Sequence, residues 1–232
     1  MGKFTSQMVS LIVGEAKTQG EYEVFSDWIA SYAISIRNAG TGEGMQGDSS
    51  PWKTAWEKRE EEFQRIMKKH DIDVFRELNE LLVAELQRFP RDVLGEVFME
   101  GGFGTKSNGQ YFTPPGVQSL TARLTISADK IDAFKQQPER KIRLYEPSIG
   151  SGGMIIESCN VIRDAGVPNW QRRIQIIGQD IEWRCVYMSY IQLSLLGLDA
   201  TIYQGDTLAD PGTPDFPPQR IWRTPRNAGL LI

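Results

Sequence analysis

The stretch Lys141-Ile142-Arg143-Leu144-Tyr145-Glu146-Pro147-Ser148-Ile149-Gly150-Ser151-Gly152-Gly153-Met154 decides how the chain folds. Its first six residues read as a short strand, its glycines as a tight turn, and the run from Met154 to Ala165 as a helix. The pattern then repeats. Ile174 to Gly178 is a compact β-branched strand ending at Gln179-Asp180. Trp183 to Leu196 is a helix with Val186, Tyr190, Leu193 and Gly197 on one face, and Ala200 to Gln204 is a third strand ending at Gly205-Asp206. Strands alternating with helices predict an α/β unit with a parallel sheet and right-handed crossovers. Ligands of such sheets sit at the carboxyl ends of the strands. Glu146 through Gly153, Asp180 and Asp206 all fall there.

The chemistry those ends support can be read residue by residue. Gly150, Gly152 and Gly153 let backbone approach a ligand closely, and a helix starting near Met154 aims its free N–H groups at the same place. Asp180 lies 30 residues beyond Gly150, at the end of the next strand, where a carboxylate accepts hydrogen bonds from ribose hydroxyls. Asp206, one strand further out, is placed to accept from an adenine amino group. Each feature alone has a plain alternative, a tight connection or a helix cap. Two carboxylates on successive strands behind a glycine turn favour an adenosine-containing ligand.

Upstream the rhythm is helical. Glu21 to Arg37 carries Val24, Trp28, Ile29, Tyr32 and Ile36 at helical spacing. Ser50-Pro51 caps a second helix with Trp56, Phe63, Ile66 and Met67. A third runs from about Asp73, with Phe75, Leu78, Leu81, Leu82 and Leu86, and stops before Pro90 because proline disfavours helical geometry in its predecessor. Residues 39–44 form a glycine-rich loop. Residues 101–109 break the pattern with Gly101-Gly102-Phe103-Gly104 and Asn108-Gly109, and Thr113-Pro114-Pro115-Gly116 opens the next helix. The boundary is placed near residue 105, giving a helical domain over 1–105 and an α/β domain over 106–232.

Composition narrows the class. The 232 residues are 40% hydrophobic and 24% charged, ordinary for a globular protein able to bury a core without staples. No apolar run approaches the ~18 residues of a membrane span, and Met1-Gly2-Lys3-Phe4-Thr5-Ser6 does not read as a secretory leader, so a cytoplasmic protein is expected. Cys159, Cys185 and the single His70 fall short of the roughly four ligands a zinc site needs, and no metal is expected. The net charge of −4 argues against gripping nucleic acid by bulk charge. It is uneven, −6 over residues 1–105 and +2 over 106–232. Arg220, Arg223 and Arg226 form a small basic cluster, the candidate surface for DNA.

Four segments in order carry a family resemblance: Gly109-Gln110-Tyr111-Phe112-Thr113-Pro114-Pro115, Glu146 to Met154, Gly178-Gln179-Asp180-Ile181, and Gly205-Asp206-Thr207-Leu208. Together with Asp92-Val93-Leu94-Gly95-Glu96-Val97-Phe98 before them, they resemble the adenine-N6 DNA methyltransferases, most nearly the modification subunits of type I restriction-modification systems and their phage or plasmid relatives. The resemblance implies a helical N-terminal domain followed by a partial Rossmann-like S-adenosylmethionine methyltransferase domain. By the same likeness, Gln110, Tyr111, Phe112, Thr113 and Pro114 border S-adenosylmethionine. Glu146, Ser148, Gly150 and Gly152 wrap its methionine end, Asp180 holds the ribose and Asp206 faces the adenine. Removing Asp180 is expected to abolish cofactor affinity with little loss of stability.

The chain also departs from the family. There, a fourth strand ends in Asn/Asp-Pro-Pro-Tyr/Phe, whose polar groups hold the target amino group while the aromatic stacks on the flipped base. Here the double proline after the third strand stands in Asp215-Phe216-Pro217-Pro218-Gln219. Asp215 and Trp222 are the remaining candidates for a shifted catalytic role. The family sheet has seven strands and only 26 residues follow Asp206, so a half-sheet ending after the third strand is expected. Its open edge beside the first strand would be covered by Gly229-Leu230-Leu231-Ile232, by self-association or by a protein partner. Two activities follow: methyl transfer to adenine N6 in DNA, or an inactive S-adenosylmethionine-binding protein regulating a methyltransferase or restriction complex, as an anti-restriction partner would.

Overall fold

The computed structural model describes residues 3–17, 20–40, 51–104, 112–210 and 216–225. Among them seven helices precede the first strand: α1 (Lys3–Glu15), α2 (Glu21–Gly40), α3 (Pro51–Met67), α4 (Ile72–Arg88), α5 (Val93–Glu100), α6 (Pro115–Thr125) and α7 (Ala128–Gln136). The rest is β1 (Ile142–Glu146), α8 (Gly153–Asp164), α9 (Trp170–Arg173), β2 (Ile174–Asp180), α10 (Trp183–Leu195), β3 (Ala200–Gln204), a 3₁₀ turn (Pro218–Arg220) and β4 (Ile221–Arg223).

Local chemistry sets the ends. Asp71 caps α4 by accepting from Asp73 N at 2.9 Å, and the helix stops at Arg88, just ahead of Pro90. Proline occupies the first turn of α6, where a missing N–H is harmless. Phe75, Leu78, Leu82 and Leu86 form the buried stripe of α4.

The sheet order is β1-β2-β3-β4. The first three strands are parallel, with Glu146 opposite Gly178 and Asp180 opposite Gln204, so Glu146 and Asp180 stand at one end of the sheet. A short fourth strand corrects the expectation of an ending after the third. Ile221–Arg223 pairs antiparallel with β3 and places Trp222 opposite Ile202. Three residues are too few to show a period of two.

α8 and α10 are the helices packed on the sheet, and α2, α4 and α5 pack on α10 in turn. Every residue of α10 from Arg184 to Ser194 is buried, so it is enclosed on all sides. The expected single apolar face is corrected accordingly, and Gly197 lies past the helix end at φ 63°. One contiguous core runs from Met8 in α1 to Trp222 in β4.

The other face of the sheet is different. Tyr145 and Ile177, register partners on β1 and β2, are 54% and 41% exposed. Beside them Tyr203, Phe216 and Ile221 form a separate small cluster. No described strand pairs with the outer side of β1. A groove of about 330 Å³, lined by Ile142, Leu144 and Met154 together with Lys130, Arg143 and Glu146, lies beside it. Residues 229–232, the expected cover, lie outside the described residues. No described helix is long and apolar enough to cross a membrane.

Candidate functional site

The three strand ends are tied together by backbone and side-chain hydrogen bonds. Ile149 N donates to Gln179 O and Gly150 N to Asp180 Oδ2, both at 2.9 Å, fastening the turn after β1 to the end of β2. Gly205 N donates to Asp180 O at 2.9 Å, and Thr207 Oγ1 to Pro147 O at 2.6 Å, fastening the loop after β3 to both. The turn itself requires glycine. Gly150 and Gly152 have φ of 56° and 96°, conformations that L side chains rarely adopt. A side chain at Gly178 would overlap Ile149, so the absence of a Cβ there lets the turn lie on β2.

The expected site residues within the described segments can be placed one by one. Glu146 ends β1, half-buried, with Ser148 exposed beyond it. Phe112 lies over the turn, its ring in van der Waals reach of where a Cβ of Gly150 would be, and stacks edge-on against Phe98 at 5.1 Å. Thr113 and Pro114 are exposed at the entrance to α6. Asp206 is exposed after β3, its Oδ1 accepting from Leu208 N at 2.9 Å. Gln110 and Tyr111 lie outside the described residues.

Asp180 is 8% exposed. Its Oδ2 accepts from Gly150 N, and its Oδ1 from Glu182 N at 3.0 Å. Burial pushes its carboxyl above the usual range, and those two N–H groups pull it partly back. Since the carboxylate braces the turn, its removal is expected to cost stability, where the sequence alone led to the expectation of little loss.

Burial likewise raises the Glu146 carboxyl. The Ser148 N–H acts against this, and the charge of Asp180 adds to it. A carboxyl raised in the folded state contributes stability that is complete below its unfolded value and lost as pH rises through the folded one. Glu146→Gln is therefore expected to raise Tm by about 1–2 °C at pH 7, and not at pH 4. Scanning calorimetry at the two values checks this, and an equal Tm at pH 7 contradicts it.

The acceptor groups at the strand ends fit S-adenosylmethionine. Glu146 and Asp206 offer carboxylate oxygens to solvent-facing space, and Gly150 adds a cradle that a Cβ would narrow. α8 begins at Gly153 after the cap residue Gly152, with no side chain capping its first turn, an end whose dipole favours an anionic group.

The two catalytic candidates fare differently. Asp215 lies outside the described residues. Trp222 is fully buried, edge-on to Tyr187 and Tyr190 at 5.2 and 5.0 Å, with the Arg37 guanidinium 4.6 Å from its ring. Burial holds that guanidinium down at about 10. A ring packed this way anchors β4 to α2 and α10 and has no face to stack on a base. Arg220 and Arg223 are exposed, while Arg226 lies outside the described residues.

Sequence reasoning passed over Asp92, Gln118, Ser151 and Gln192, which meet behind the turn. A polar Gln192 between Ile191 and Leu193 was the available signal. Phe112, Thr113, Pro114 and Gln118 also line a cleft of about 990 Å³, together with Phe89, Met99 and Arg163.

Comparison with known proteins bears on the fold and the family. A methyltransferase subunit of a type I restriction-modification system from Streptococcus thermophilus shares the fold, with TM-score 0.50 and 12% identity over 93% of this chain and 60% of that one. A Listeria monocytogenes structure, named as a class I S-adenosylmethionine-dependent methyltransferase, matches with TM-score 0.44 and 15% identity over 90% of this chain and 55% of that one. The chain thus spans less than two thirds of either protein. No curated protein sequence matches it. Residues 91–221, more than half of the chain, match the family described as N-6 DNA methylase, and the chain belongs to that family.

Proposed function

We propose that the chain binds S-adenosylmethionine at the ends of β1, β2 and β3 and takes part in methyl transfer to adenine N6 in DNA. The observation that carries this is the bond from Gly150 N to Asp180 Oδ2, 2.9 Å. It fastens the glycine turn to the end of β2, on the same edge of the sheet as the half-buried Glu146 and the exposed Asp206. Bound there, S-adenosylmethionine supplies an electrophilic methyl group. The residues of the chain bind and orient it: Glu146, Ser148, Gly150 and Gly152 at the methionine end, Asp180 at the ribose, Asp206 at the adenine, and Phe112, Thr113 and Pro114 along one side with Gln110 and Tyr111. The exposed Arg220 and Arg223 support contact with DNA phosphates. We place the helical domain at 1–105 and the cofactor domain at 106–232.

A second reading has its own support. Asn/Asp-Pro-Pro-Tyr/Phe does not occur within the 232 residues, which favours a protein that binds the cofactor and regulates a methyltransferase or restriction complex. The open edge of β1, with Tyr145 and Ile177 exposed beside it, supports self-association or a protein partner in either case.

One experiment separates the readings. The purified chain is given S-adenosylmethionine labelled in the methyl group, with unmethylated adenine-containing duplex DNA, and bound cofactor is measured by calorimetry alongside. Saturable binding with label recovered as N6-methyladenine is the result expected of the enzyme. Binding without label establishes the regulatory reading, and absence of binding overturns both.

A further inference from the structure

Asp92 is buried, 5% exposed, and sits at the start of α5, where its Oδ1 accepts from Gly95 N at 2.9 Å. That bond alone is an ordinary helix cap. Three further donors come from elsewhere. Ser151 Oγ, inside the glycine turn, donates to Oδ2 at 2.5 Å. Gln118 Nε2, on α6, donates to Oδ2 at 3.3 Å and also to Thr113 O at 2.7 Å. Gln192 Nε2, on α10, donates to Oδ1 at 3.0 Å and to Ser151 O at 2.7 Å, while its Oε1 accepts from Leu94 N at 3.1 Å. Glycines make room for this convergence: a Cβ at Gly95 would overlap the Asp92 carboxylate, and one at Gly153 would overlap the Gln118 amide.

Capping α5 needs none of those three donors. Two carboxylate oxygens provide about four acceptor positions, and here four donors from α5, α6, the glycine turn and α10 take them. The donors include both ends of the cradle, the Thr113 segment through Gln118 and the turn through Ser151. We propose that Asp92 is a positioning residue for the cofactor site, fixing these two walls relative to each other before the cofactor arrives. The proposal rests on the reading that the site binds S-adenosylmethionine. Its physical content is preorganisation: walls already fixed do not have to be ordered on binding.

Asp92→Asn tests it, because asparagine caps a helix about as well as aspartate does. Its one oxygen can keep Gly95 N and Gln192, and its amide then meets two donors. The Ser151 hydroxyl can turn to accept, but the Gln118 amide must flip, which releases Thr113 O. The expected result is S-adenosylmethionine binding weakened about 10-fold, the worth of one hydrogen bond to a charged group. Backbone hydrogen exchange should accelerate in both 112–118 and 149–153 of the cofactor-free protein. Gln118→Met removes one donor at similar volume, leaves the α5 cap intact and is expected to act in the same direction, so the proposal stays open to test if Asp92→Asn does not fold. Wild-type binding with unchanged affinity and exchange in either folded variant overturns the positioning role and leaves the cofactor reading standing. No binding by the wild type overturns both.

Discussion

Asp180→Ala is expected to weaken S-adenosylmethionine binding by at least ~100-fold. The carboxylate would accept from the ribose hydroxyls while already holding Gly150 N and Glu182 N. On the proposed binding mode, alanine would remove the ribose contacts, and it frees the turn from its brace at Gly150 N. Two charge-assisted hydrogen bonds, at about 1.5 kcal/mol each, give about 3 kcal/mol, which is that factor. Titration calorimetry on the folded variant measures it, and an affinity equal to wild type removes the ribose assignment. The substitution also costs stability, about 1–3 kcal/mol, since two partly buried N–H groups lose their acceptor. That cost depends on pH. Because the Asp180 carboxyl is raised in the folded state, its contribution is complete below the unfolded value near ~3.9 and declines as pH rises through the folded one. The gap between wild type and variant therefore narrows from pH 4 to pH 7.

The other large effect belongs to Arg173, far from any cofactor chemistry. Its side chain is buried, and the guanidinium donates to four backbone carbonyls: Arg140 O at 3.0 Å, Pro168 O at 3.2 Å, and Phe134 O and Gln137 O at 2.8 Å. Those carbonyls belong to the end of α7, the segment leading into β1 and the loop before α9, so one side chain closes the approach to β1 and β2. Arg173→Ala leaves the carbonyls without their donor and opens a cavity, and a loss of about 3–5 kcal/mol is expected. For a chain of this size that lowers Tm by roughly 6–20 °C. Arg173→Lys, with one ammonium in place of a planar fork, is expected to lose about half as much. Urea unfolding of the three proteins decides, and a loss below ~1 kcal/mol for Arg173→Ala contradicts the role.

Much of the α/β half was legible because its signals are local. Ile174 to Gly178 is β-branched and ends in an acid, Gly150 and Gly152 sit where positive φ is required, and Pro90 and Pro115 punctuate the helices. The same locality explains what stayed hidden. β4 is three residues long and pairs with a strand about twenty residues earlier. α10 was read with one apolar face because its sequence does not reveal that α2, α4 and α5 close over its other sides. Asp92 was visible only as part of a helix, since its partners Gln118, Ser151 and Gln192 lie 26, 59 and 100 residues away. Asp180 was read correctly as a strand-end acid beside the turn, but its bond to Gly150 N makes it a brace as well, a role spacing alone cannot give.

The enclosure of α10 has a consequence for the order in which the molecule comes together during synthesis. Chains usually fold from the N-terminus as they leave the ribosome. In this one, the faces of α2, α4 and α5 that close on α10 have no counterpart until residues 183–195 have been made, and by then β1 and β2 have been made as well. The early helices must wait with apolar surface uncovered, and their final packing coincides with closure of the sheet. The helical half is therefore the part of the nascent chain most in need of shielding, although it is completed first.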